Sequence, residues 1–223
     1  MKKPLVLWSG GVESTSLLLR LLTETDVEVV AHFIEMVNPN RRYSSERACV
    51  EELSKTLQGI RQFEYSESSI SICDGKGINW DWSIQYPIGV AAMLYHKCDC
   101  VLRAGCLEDD WDGFVSNGSI TYHRPDPEPG FSHRRRAKQV ALSVAANADP
   151  ETVAPYLEWY KLPKYKLVQH LGPLAEVTWS CRTPIGFRQE CGKCHSCKAR
   201  RAAFNGTSAI PEVAEMISKG ELL

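Results

Sequence analysis

No run of about 18 apolar residues occurs anywhere in the 223-residue chain, so no membrane-spanning helix is expected. Net charge is nearly absent too, with 26 Lys and Arg against 27 Asp and Glu leaving −1. That excludes a general electrostatic attraction to nucleic acid or to a membrane surface. The one basic run, His133, Arg134, Arg135 and Arg136, reads as a solvated helix start rather than a nucleic-acid patch. Internal repeats and low-complexity segments are also missing. A secretory leader is not expected either. Lys2 and Lys3 do precede apolar residues, but these run only from Leu5 to Trp8 before Ser9-Gly10-Gly11, too short for a signal peptide's apolar region. The expected location is therefore cytoplasmic.

What is present is the composition of a globular protein, 43% hydrophobic and 24% charged. The length fits one domain of ordinary size with a small appendage, enough to bury a core without staples. Cysteine is abundant, at nine. Four lie close together near the C-terminus, while Cys49, Cys73, Cys98, Cys100 and Cys106 are scattered and read as small buried hydrophobes. With no leader, a disulfide framework is not expected.

The first hundred residues alternate as an α/β sheet does. Strands are expected at 4–8, 27–34, 62–65 (the weakest) and 98–105, and helices at 14–22, 44–57 and 87–96. Ser44 and Ser45 read as the cap of the second helix. From 106 to 130 the chain turns acidic, aromatic and proline-rich, which reads as a long irregular loop of functional interest. A helix at 133–147, a short strand at 153–159 and helices at 163–171 and 212–219 complete the pattern.

Between the first strand and first helix stands Ser9-Gly10-Gly11-Val12-Glu13-Ser14-Thr15. Two glycines allow a tight turn, and the first-turn N–H groups of a helix make an anion site with the helix dipole behind them. The hydroxyls of Ser9, Ser14 and Thr15 can add hydrogen bonds to phosphate oxygens. A carboxylate inside such a loop makes sense with a divalent cation, because Mg²⁺ on pyrophosphate takes carboxylate ligands. The loop lacks the Gly-Lys-Ser/Thr of a Walker A motif and the Gly-x-Gly-x-x-Gly of dinucleotide binders. A plain glycine corner is the rival reading, and the position directly after the first strand speaks against it.

The second constellation is Cys181, Cys191, Cys194 and Cys197. Four thiolates at this spacing can close a tetrahedron around Zn²⁺, the last three coming from a knuckle that runs into a helix. Such a site has no open coordination position, so its role is structural. An iron–sulfur cluster is the alternative. His195 lies inside the knuckle as a substitute ligand that four cysteines make unnecessary.

The loop resembles the Ser-Gly-Gly-x-Asp-Ser loop of the N-type ATP pyrophosphatases. Joined to the cysteine knuckle and Trp179-Ser180-Cys181, the chain is similar over most of its length to the 7-cyano-7-deazaguanine (preQ0) synthases. That resemblance implies a doubly wound parallel α/β sheet, Rossmann-like, with a zinc-knuckle extension; the expected division is 1–175 and 176–223. It implies ATP bound by Ser9, Gly10, Gly11, Val12, Glu13, Ser14, Thr15 and Gly105, with Mg²⁺ and a structural Zn²⁺. It implies catalytic roles for Lys164 and Glu13. Gly105 to Asp110 looks like the family's Gly-x-x-x-x-Asp stretch, which points to Glu108, Asp109, Asp110 and Trp111 for substrate. Trp80, Trp82 and Trp111 can stack on a purine, although packing explains a tryptophan equally well.

The implied reaction adenylates the carboxylate of 7-carboxy-7-deazaguanine, replaces AMP by ammonia, and dehydrates the amide with a second ATP. Three departures stand out: Glu13 for the family's Asp, 35–42 for its Asp-Tyr-Gly-Gln stretch, and 80–87 for its Pro-Gly-Arg-Asn run. A diverged ligase using another amine, including a nucleic-acid or protein acceptor, is one alternative. A tRNA-modifying pyrophosphatase is another, with Cys106 as a sulfur carrier, and a non-catalytic nucleic-acid-binding zinc module is the third. A homodimer stays open.

Overall fold

The apolar residues Pro4–Leu7 form β1 and are buried along their whole length. Runs of this kind suit a parallel strand covered on both faces. A computed structural model describes residues 3–37, 42–71, 81–110, 112–116, 119–123, 153–155 and 162–221, with 81–84, 109–123 and 153–155 described by backbone alone. β1 pairs in parallel with β2 (Val30–Val37) on one side and with β4 (Cys100–Arg103) on the other. β3 (Glu64–Ser71) lies beyond β2, and β7 (Val153–Pro155) beyond β4. The order β3-β2-β1-β4-β7 is that of a doubly wound parallel sheet, as the resemblance implied.

Alternation along the strands separates two cores. Val6, Trp8, Ala31 and Phe33 face α1 (Val12–Glu24), α2 (Arg42–Ile60) and α4 (Lys164–Leu171), contributing Leu17, Leu53 and Leu167. Leu5, Leu7, Val30, Ile34 and Val101 face α3 (Asp81–Tyr95), which contributes Tyr86, Val90 and Met93. A short helix α5 (Leu174–Val177), then α6 (His195–Phe204) and α7 (Pro211–Ser218), follow α4.

Several boundaries differ from the sequence pattern, each for a physical reason. β2 starts three residues later than expected, because Arg61 clamps the preceding turn through the carbonyls of Leu21, Thr25 and Val27. β3 is a full strand although its sequence is mostly Ser and Glu; among the described residues it pairs only with β2, and an edge strand with its side chains half in water tolerates polar residues. α2 begins at Arg42, and Ser45 is buried within its first turn, accepting a hydrogen bond from the N–H of Arg188 at 2.9 Å. Pro87 lies inside α3 rather than at its start.

The stretch 106–130 is not one irregular loop. It holds a 3₁₀ turn at Leu107–Asp110 and an antiparallel hairpin of β5 (Asp112–Ser116) and β6 (Ser119–His123). Of the strand expected at 153–159, the described residues 153–155 form β7. The expected helix at 133–147 with its basic run, Trp80, Trp111 and Cys73 lie outside the described residues. Among the described residues no helix is long and apolar enough to cross a membrane. The cysteines described are all free, with Cys49 and Cys106 buried.

Candidate active site at the strand ends

The chain reverses its winding between β1 and β4, and ligands of doubly wound sheets bind outside the carboxyl ends of the strands at that switch point. The glycine loop leaves β1 there. Gly10 takes φ +72°, which favours glycine, and a Cβ on it would approach Val50 Cγ2 at 3.0 Å. Gly11 caps α1, with no side chain bonded to the first-turn N–H groups. Ser14 Oγ accepts from the N–H of Ser9 at 3.2 Å and lies 3.2 Å from Ser9 Oγ, so the two hydroxyls face each other across the loop. Thr15 is turned away from them. It is fully buried, and the Trp8 indole N–H donates to its hydroxyl at 3.1 Å.

Glu13, in the first turn of α1, meets Lys164, the first residue of α4, with Oε1 and Nζ 2.5 Å apart. Cys106 Sγ lies 3.9 Å from the same carboxylate oxygen. The backbone N–H of Lys164 donates to Glu108 Oε2 at 2.9 Å, and the N–H of Leu107 donates to the carbonyl of Leu162 at 2.8 Å. These two bonds pin the 3₁₀ turn after β4 to the start of α4. Burial pushes the Glu108 carboxyl up, against the N–H donors and the Lys164 charge that stabilise its ionised form.

The four knuckle cysteines come together. The ligand atoms of Cys181, Cys191, Cys194 and Cys197 all lie within 4.8 Å of one another, with Cys191 and Cys197 at 3.9 Å. Tetrahedral thiolates at the usual metal–sulfur distance of about 2.3 Å stand roughly 3.8 Å apart, so the set fits one metal ion. A four-iron cluster would sit between its thiolates and hold them further apart. The Thr183 hydroxyl and the N–H groups of Cys194 and Lys193 donate to Cys191 Sγ and bring that thiol down to about 6. Gly192 takes φ +68° between two of the ligands. His195 is not in the cluster and faces the cleft instead.

The knuckle closes over the loop. The N–H of Trp179 donates to the carbonyl of Gly10 at 2.9 Å. The Trp179 ring packs with Cys49 of α2, Cys181 and Cys197. Arg200 ties α6 to α5 by donating to the hydroxyl of Thr178 and the carbonyl of Ala175. Between loop and knuckle lies a cleft of about 470 Å³.

Of the residues singled out from sequence, Ser9, Gly11, Glu13, Ser14, Glu108 and Lys164 line this cleft. Gly10, Val12, Thr15 and Gly105 do not; Val12 and Thr15 are wholly buried behind it. Asp109 and Asp110 end the 3₁₀ turn, with only their backbone described, and Trp111 lies outside the described residues.

The cleft also takes residues that sequence reasoning passed over. His32 on β2 is 2% exposed, with Nδ1 2.8 Å from Ser66 Oγ and Nε2 3.1 Å from Ser68 Oγ. Burial first, then the charge of His96, lowers its pKa to about 4, so the ring is neutral. Arg103 ends β4, and Arg182 and Ser196 come from the knuckle, where the Arg182 Nε donates to Ser196 Oγ at 3.2 Å. A place at the carboxyl end of a parallel strand was the available signal for Arg103. His32 and Arg182 carried none without the fold.

The family profile described as "Queuosine biosynthesis protein QueC" matches residues 113–208. A 7-cyano-7-deazaguanine synthase of Methanoculleus marisnigri is 27% identical over 219 residues, covering 92% of this chain and 94% of that one. One of Brucella anthropi is 27% identical over 212 residues, covering 91% and 89%. Among solved structures, the U34-tRNA thiolase NcsA from Methanococcus maripaludis with its 4Fe-4S cluster superposes with a TM-score of 0.51 at 14% identity, over 98% of this chain and 70% of that one. At that identity the likeness speaks for the fold alone. With the profile match at 113–208 and these relatives along nine-tenths of its length, the chain is similar to the 7-cyano-7-deazaguanine synthases (QueC).

Proposed function

We propose that the chain is an ATP-dependent carbon–nitrogen ligase that converts 7-carboxy-7-deazaguanine and ammonia into 7-cyano-7-deazaguanine. The observation that carries this reading is the single cleft in which the glycine loop, the Glu13–Lys164 pair and Glu108 converge at the switch point. Full-length relatives named for that product supply the substrate class.

The residues present account for the chemistry. The first-turn N–H groups of α1, which have no side-chain cap among the described residues, are placed with the Ser9 and Ser14 hydroxyls to hold the β and γ phosphates. A carboxylate oxygen of the substrate attacks the α-phosphorus, the α–β bridging bond breaks, and pyrophosphate leaves against those donors and Lys164. Ammonia then attacks the acyl carbon and AMP leaves, giving the amide. The amide oxygen attacks a second ATP in the same way, and loss of AMP and protons from nitrogen yields the nitrile. Buried Glu108, its carboxyl raised by desolvation, is placed to accept a proton from the incoming nitrogen or to hold the substrate's N–H face.

Glu13 fits a Mg²⁺ site, being an oxygen ligand set in the loop beside the phosphate positions; the cation would neutralise pyrophosphate charge. The four cysteines fit Zn²⁺ as a closed structural site. A location in the cytoplasm suits these free thiols.

The reading is tested by incubating the protein with Mg-ATP and 7-carboxy-7-deazaguanine, with and without ammonia, and following nucleotide and purine by mass. AMP with an ammonia-dependent nitrile is expected. ADP in place of AMP would sink the enzyme class, and AMP with an amide or no purine product would sink the nitrile alone.

A further inference from the structure

The cleft has two sides, and they differ in chemistry. On the β2 side, Ile34 and Met36 offer apolar surface, and Arg42 pairs with Glu46 of its own helix at 3.3 Å. On the β4 side, Arg103 forms the wall. Arg103 is the last residue of β4, the strand that adjoins β1 at the switch point, and it lines the same cleft as Ser9, Gly11 and Ser14. Its Nη1 donates to the hydroxyl of Tyr86 at 3.3 Å, and its guanidinium carbon lies 6.0 Å from the centre of the Tyr86 ring. Tyr86 itself is 6% exposed and packed in the core with Leu5, Leu7 and Val90.

A guanidinium braced in this way loses little freedom when it binds, and its planar fork matches a carboxylate in a bidentate pair. In an in-line displacement the attacking oxygen must approach the α-phosphorus from the side opposite the departing pyrophosphate. With pyrophosphate on the α1 N-terminus, beside Lys164, that side is the β4 wall. Arg182, the cleft arginine of the knuckle, lies at the exposed rim.

We infer that Arg103 is the group that recognises the carboxylate of the acyl substrate and aims it at ATP, with Tyr86 as its positioning residue. This rests on the adenylation reading above. It predicts discrimination by charge: an acid is drawn to the β4 wall, and its neutral amide is not.

The experiment measures AMP release as a function of 7-carboxy-7-deazaguanine and, separately, of ATP, for the wild type, R103Q, R103K and Y86F. Binding of 7-amido-7-deazaguanine is measured alongside. R103Q is expected to raise KM for the acid tenfold or more, in keeping with loss of a charge-assisted pair, while KM for ATP stays within about twofold. R103K recovers part of the loss, Y86F raises the acid's KM a few-fold only, and amide affinity in R103Q stays within about twofold. An equal rise in KM for ATP, or an equal loss for the amide, would overturn the assignment. Should R103Q fail to fold, R103K and Y86F carry the same comparison. Unchanged KM for the acid in R103Q, beside a wild type that does release AMP, removes Arg103 alone; a wild type that releases no AMP with this acid removes the adenylation reading and Arg103 with it.

Discussion

Lys164 Nζ lies 2.5 Å from Glu13 Oε1, joining the first residue of α4 to the first turn of α1 beside the glycine loop. Both side chains are largely buried, at 11% and 20% exposure. Glutamate, one methylene longer than the aspartate of related loops, supplies the reach for this contact.

The pair sets a prediction for stability and turnover together. K164M leaves the Glu13 charge partly buried without its partner, and E13Q does the same to Lys164. Each is expected to destabilise the fold, while the double variant is less destabilised than their sum, with a coupling of roughly 1–2 kcal/mol by denaturant unfolding. K164M is further expected to slow AMP release by roughly a hundredfold or more, because charge on the leaving pyrophosphate goes uncompensated. Additive single-variant effects would show that the contact contributes nothing.

The knuckle makes a second prediction, this one about metal. The purified protein should hold about one zinc ion per chain, and C197S should lose it. Cys197 is buried against Trp179 and Cys49, and the Trp179 N–H holds the carbonyl of Gly10. Removing the ion should therefore lower the melting temperature and also raise KM for ATP through the loosened loop. A metal-free protein with unchanged KM for ATP would disconnect the knuckle from the loop. Iron in the metal analysis would replace zinc altogether.

His32 predicts a pH dependence whose sign follows from burial. Its pKa is lowered to about 4 in the fold, against 6.5 for the unperturbed ring. More than about one unit above 6.5 neither state holds the proton. As pH falls from 6.5 toward 4, the unfolded chain takes it up and the native state does not, so stability drops by up to about 3 kcal/mol. H32Q should unfold with a shallower pH dependence across this window, measured by urea titration at several pH values. Parallel profiles for the two proteins would show that His32 does not set the slope.

The legible features were those whose physics is local. Ser9 to Ser14 reads as an anion site because a strand, two glycines and a helix start are contiguous, and Gly10 indeed takes the left-handed conformation such a turn requires. Cys191, Cys194 and Cys197 are legible because three thiolates within seven residues can share one ion wherever the knuckle lands. β3 was obscure because its Ser and Glu residues are stabilised by an edge position and by hydrogen bonds to His32 and Arg47, neither of which shows in a window of the chain. The hairpin of β5 and β6 was hidden for a related reason, since the proline-rich texture that follows it dominated the reading of 106–130.

By itself, then, the sequence determined the glycine loop, the cysteine knuckle and the alternation of strand and helix, since each depends on short-range backbone geometry and ligand spacing. Only the tertiary structure decided what surrounds the loop. The order β3-β2-β1-β4-β7 brings β4 beside β1 and so sets Arg103 in the same cleft as Ser9 and Ser14. The packing of α4 against α1 brings Lys164 to Glu13, and the knuckle's seat on α2 turns Arg182 and His195 toward the cleft. These pairings join residues far apart in the chain. They depend on which buried faces meet, and that is fixed by burial of the two apolar cores on either side of the sheet.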